Sequence, residues 1–158
     1  MSVLELFKAL QSSAFGRFIG SLDHLFCAVL ELGHIAGMIL LLASVLLTSL
    51  NLLGLGLSSV PLAEIQRSTR KLFWTGLTLL VVSGLLIFIP AATSYYANDF
   101  FWAKFILLGL ALLVYFTLYR WVAARDSKQI WLAKATGGLA LSLWLGVAFA
   151  GRFIGFFA

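Results

Sequence analysis

Charge is what this chain has least of. Asp, Glu, Lys and Arg make up 11% of its 158 residues, against about 25% in a soluble domain. At this length there is room for one small bundle and none for a separate soluble domain. Cysteine occurs once, at Cys27, which excludes an intramolecular disulfide and leaves the redox compartment unread. Histidine and methionine occur twice each, so a soft-ligand site has few donors to draw on. No phosphate-binding loop, nucleophilic triad or paired catalytic carboxylate is visible, and ordinary hydrolase chemistry has no support. Strand patterns, internal repeats and low-complexity segments are missing too. The start of the chain does not read as a secretory signal. Its apolar positions are broken by Glu5, Lys8, Gln11 and two serines, and no small-residue cleavage site follows.

Apolar residues are abundant. They reach 62%, beyond the about 45–50% of soluble domains, so the chain reads as an integral membrane protein with one domain over 1–158. The net charge of +5 does not point to nucleic acid, because the basic residues cluster at helix ends, where they orient a chain in the bilayer. The predicted fold is all-α: a four-helix transmembrane bundle with a short interfacial N-terminal helix. That short helix covers 2–13. Ser2 and Glu5 have capping-box spacing, and Val3, Leu4, Phe7 and Leu10 share a face. Gly16 and Gly20 are expected to loosen the chain before the first span.

The spans are predicted at approximately 22–50, 68–89, 99–124 and 128–157, each near the about 20 residues a bilayer requires. Pro61 suits a first helical position, and Pro90 ends the same helix. Asn98 or Asp99 can cap the third span. Gly33 with Gly37 favours close helix contact, as do Gly137 and Gly138. Trp74, Trp102, Trp121, Trp131 and Trp144 read as interfacial belts. Arg67, Arg70, Lys71, Arg120, Arg125, Lys128 and Lys134 flank the loops after spans one and three, which puts both termini outside the cytoplasm.

One stripe interrupts the greasy first span: His24, Cys27, Glu31, His34 and Met38. At about 100° per residue they fall within an arc of roughly 100°. Ionisable groups in a span are costly and are functional candidates for that reason. Lys104 and Arg152 lie in the same outer half and are the cations available to Glu31; the alternative is that the three pair and fix the bundle's register. The inner half is expected to hold almost no polar side chains.

Three chemistries compete for the stripe. Haem needs an axial ligand, which His34 can supply. His24 and His34 are about 15 Å apart along one helix, so they cannot ligate opposite faces of one iron. Spans two to four contain no His and no Met, so a haem here would be five-coordinate, take an unusual second ligand, or be shared between protomers. Copper is the second option, since His24, Cys27, His34 and Met38 include imidazole, thiolate and thioether donors. Proton transfer along Glu31 and His34 is the third.

The order of motifs carries a resemblance. Glu31-Leu-Gly-His34-Ile-Ala-Gly37, Leu52-Leu-Gly-Leu-Gly-Leu57, Phe101-Trp-Ala-Lys104 and Ala150-Gly-Arg152 together resemble an uncharacterised family of small bacterial four-span membrane proteins, over nearly the whole chain. More distantly, the layout is similar to copper-resistance D-type proteins and to four-helix membrane protoporphyrinogen oxidases. The latter likeness implies a haem b with essential His and Lys, roles that fall by position on His34 and Lys104. It also implies a bacterial inner membrane.

The resulting expectation is a small membrane redox protein or redox-complex subunit. Haem b is its candidate cofactor, with His34, Lys104, Arg152 and Glu31 around it. Two alternatives stand beside it: a non-catalytic accessory subunit of a larger membrane complex with no cofactor, and a copper-handling or transport protein. The expected partners are the lipid bilayer and either a second copy or a larger membrane complex.

Overall fold

A computed structural model describes residues 2–57, 59–124 and 130–156. Among them no strand occurs, and four helices are long and apolar enough to cross a bilayer: His24–Leu53, Leu62–Tyr96, Asp99–Val122 and Ile130–Ile154. The first begins two residues later than expected and ends three later. Arg125, Lys128 and Phe157, named in the sequence reading, lie outside the described residues.

Helix α1 (Val3–Gln11) starts at the expected capping box. Ser2 Oγ accepts from the Glu5 amide at 3.2 Å, and the Glu5 carboxylate accepts from the Ser2 amide at 2.8 Å. The glycine-rich stretch that follows is a second helix, α2 (Ala14–Gly20), rather than a loosened segment. Ser13 caps it, and Gly16 permits the sharp turn out of α1: a Cβ there would lie 2.6 Å from the Gln11 carbonyl oxygen. α1 docks on the bundle end through Phe7, whose ring meets Phe88, Tyr96, Phe101 and Trp102. Gln11 Oε1 adds two bonds, accepting from the amide and hydroxyl of Thr93.

Helix α3 (His24–Leu53) is capped by Asp23 and ends at Gly54, whose φ of 77° suits a residue without Cβ. Asn51 closes the connection to α4 by donating to the carbonyls of Leu57 and Val60. α4 (Leu62–Phe88) leads through a 3-10 turn at Ile89–Ala91, which contains Pro90, into α5 (Ala92–Tyr96). α6 (Asp99–Val114) is capped by Asn98, which accepts from the Phe100 amide at 3.0 Å. It continues through a π-helical segment, Tyr115–Tyr119, into α7 (Arg120–Ala124). α8 (Ile130–Ile154) completes the bundle.

α3 packs along α4 and α8, and α8 along α6. The α3–α4 pair is closest at Gly37 and Gly76. A Cβ on Gly76 would sit 2.6 Å from the Gly37 carbonyl oxygen, and one on Gly37 would sit 2.9 Å from that of Gly76. Gly137 plays the same part between α8 and α3, against Leu52 and Ser49. Gly33 and Gly138, expected in such contacts, have nothing within 4 Å of a Cβ position.

The core is Leu41, Val45, Phe73, Ala111 and Trp144, with a second cluster at Leu52, Val114, Tyr119 and Ala140. Phe73 stacks on Tyr115 at 3.8 Å and 3°, linking α4 to the start of the π-helical segment. Two expectations change here. Trp144 is no belt residue: it is 0% exposed, edge-on to Phe73, and its Nε1 has no partner among the described residues. The half of the bundle thought to lack polar side chains buries Ser44, Thr48, Ser49, Thr136 and the Tyr119 phenol. Thr48 bonds back to the Ser44 carbonyl, and Ser49 Oγ bonds to Tyr119 Oη at 2.8 Å. Thr48 and the Ser49–Tyr119 pair thus satisfy themselves locally or across one helix contact and fit an apolar setting without charge, whereas Ser44 Oγ has no hydrogen-bond partner among the described residues.

Candidate functional site

His34 sits in the first half of α3, half-buried and turned toward α4. Its Nδ1 lies 2.9 Å from Ser83 Oγ, and that hydroxyl donates to the Leu79 carbonyl one turn back at 2.5 Å. The next residue, Gly84, makes room for the ring: a Cβ there would stand 3.1 Å from His34 Cε1. Thus a Ser-Gly pair on α4 receives the imidazole.

Lys104 approaches from α6. It is half-buried and makes no hydrogen bond or ion pair among the described residues. Its stem crosses Gly151 of α8, where a Cβ would lie 3.5–3.8 Å from Nζ, Cε and Cδ. His34 and Lys104 are near enough for their charges to interact. All four long helices therefore contribute: His34 from α3, Ser83 and Gly84 from α4, Lys104 from α6 and Gly151 from α8.

The other stripe residues do not converge on this point. His24, Cys27 and Glu31 are exposed on α3, and Met38 is half-buried. Glu31 forms no ion pair among the described residues; its charge reaches the Tyr95 hydroxyl. Arg152 is exposed, with its guanidinium 5.0 Å from the Phe156 ring centroid. Of the residues named from sequence, the structure brings His34 and Lys104 together and leaves Glu31 and Arg152 outside. Ser83, Gly84 and Gly151 were missed, although two adjacent small residues in a span are a signal of close packing.

The donor set discriminates between cofactors. Among the described residues no three of His, Cys, Asp and Glu come close enough to hold an ion. The His24–Cys27 and His34–Met38 pairs are about 15 Å apart along α3, too far to share one copper within a subunit. A haem makes a smaller demand: one imidazole for the iron and cations for its carboxylates. His34 can supply the imidazole and Lys104 one of the cations.

Residues 7–157 match a family of unknown function, DUF6644, and the chain belongs to that family. No curated protein and no solved structure matches the chain.

Proposed function

We propose that this chain is a small membrane redox protein, or a subunit of a redox complex, that holds haem b through His34. The observation that carries this reading is the half-buried His34, backed by a hydroxyl and within range of the charge of Lys104, which makes no ion pair among the described residues. An unpaired cation inside a span is costly, so it has a partner to find, and a haem propionate is suitable. In this reading His34 ligates the iron and Lys104 pairs with a propionate, while Arg152 and Glu31 stay outside the site. Bound haem would supply one-electron transfer. By the lysine and arginine bias, the site opens on the non-cytoplasmic side of a bacterial inner membrane.

Absorbance and metal analysis on one gently solubilised preparation test this. A Soret band with iron near one per chain, or one per two chains if shared, is the expected result. Copper without haem would favour the metal-handling alternative, and a preparation holding neither haem nor copper would overturn the redox reading.

One observation favours a second reading. His24, Cys27 and Glu31 lie on an exposed face of α3, where lipid is a poor neighbour for a carboxylate. A protein partner covering that face, as in an accessory subunit, would relieve this. It predicts stoichiometric co-purification with a larger partner and no change in the complex's activity in His34→Ala.

A further inference from the structure

The hydrogen-bond geometry around His34 decides which of its nitrogens is open to a ligand. Ser83 Oγ is 2.5 Å from the Leu79 carbonyl oxygen. A carbonyl can only accept, so the single hydroxyl proton of Ser83 is committed to that bond. What Ser83 turns toward His34 Nδ1, 2.9 Å away, is therefore a lone pair. Nδ1 is then the N–H that donates to it, with the Leu80 carbonyl as a further acceptor on the ring. In a neutral imidazole the other nitrogen, Nε2, then carries the free lone pair.

From this we infer that Ser83 is the positioning residue of the site: it holds His34 as the Nδ1–H tautomer, so the ligand is taken at Nε2. Gly84 serves the same end. Cε1 joins the two ring nitrogens, and it is the atom a Cβ at position 84 would crowd at 3.1 Å. Ser83 and Gly84 thus fix the tautomer and clear the ring edge. A serine in an apolar helix usually spends its polarity on its own backbone. Here the remaining lone pair reaches a residue 49 positions away in sequence.

The consequence is a ligand class. A lone-pair nitrogen within range of an ammonium that has no ion-pair partner among the described residues suits a molecule with an electrophilic metal centre at one point and an anionic edge at another. The inference rests on His34 being the ligand-binding residue proposed above. It matches the general pattern in which a metal-bound histidine donates its second N–H to a supporting acceptor, whose loss weakens metal binding about 10–100-fold.

The test uses the full chain with ¹⁵N-labelled histidine, in nanodiscs without added haem. His24→Gln leaves His34 as the one signal. Nδ1 should resonate as a protonated, pyrrole-type nitrogen and Nε2 as a pyridine-type one. Ser83→Ala should lose that preference and mix the tautomers, and Ser83→Thr should restore it. A pyridine-type Nδ1, a pyrrole-type Nε2, or a Ser83→Ala spectrum identical to the parent overturns the inference. Haem titration of the same proteins separates it from the haem proposal. Ser83→Ala should bind about 10–100-fold more weakly and Ser83→Thr like the parent. If the parent takes up no haem while Nδ1 is the N–H, the haem proposal falls and the tautomer assignment stands. Equal haem affinity in Ser83→Ala overturns the positioning role.

Discussion

The two halves of α3 have opposite characters. Its first half carries the ionisable residues His24, Glu31 and His34 together with Cys27, and most of its surface is exposed. Its second half buries Leu41, Ser44, Val45, Thr48, Ser49 and Leu52. The half with more chemistry is the half with fewer neighbours. Helices in lipid gain little from burying one more leucine, so tight contact goes to small residues and hydroxyls that permit close approach. The charged half is held near its inner end, where Gly37 meets Gly76 and His34 meets Ser83 and Gly84.

Substitutions that exchange the two characters should separate them. The largest effect is expected at Gly76, which faces the buried half. Gly76→Val puts a side chain 2.6 Å from the Gly37 carbonyl and 2.7 Å from the Leu41 amide nitrogen, with rigid backbone on that side. It should cost about 3 kcal/mol, read as a large fall in melting temperature in detergent. Gly33→Ala, one turn before Gly37 with open space at its Cβ, should stay within about 0.5 kcal/mol of the parent. Equal effects would abolish the distinction.

A middle effect is expected at the buried hydroxyl pair. Tyr119→Phe removes the partner of Ser49 in a fully buried place, which should cost about 1 kcal/mol in thermal unfolding. No change would mean that Ser49 finds another acceptor and that the pair does not tie α3 to the π-helical segment. The smallest effect should follow Glu31→Gln or Cys27→Ser on the exposed face. Either should alter stability by less than about 0.5 kcal/mol. A drop in co-purifying protein, with stability intact, would identify that face as an interface.

Much of this fold could be read from residue order. The four spans, the capping box at Ser2 and Glu5, and the cap at Asn98 follow from local chemistry that no neighbour alters. Lateral contacts were harder. A span apolar on every side gives no hydrophobic face to follow, so Gly33 looked as good a contact as Gly37, and Trp144 looked like a belt residue. The stripe misled for a related reason: shared angle on a helix says nothing about which helix, if any, lies opposite. His34 and Lys104 were legible as rare polar groups in apolar spans. Ser83 was not, because serine within a helix ordinarily bonds its own backbone and leaves no sign of a second use. Gly151 became meaningful only once Lys104 lay across it.

The most direct test of the central claim compares His34→Ala with His24→Ala, each gently solubilised and checked for folding by circular dichroism. Both histidines lie on α3; among the described residues His34 bonds to another span, and His24 is exposed. The account expects the Soret band to be lost in His34→Ala and kept in His24→Ala. A His34→Ala protein that is folded and still carries the parent's Soret band would contradict it.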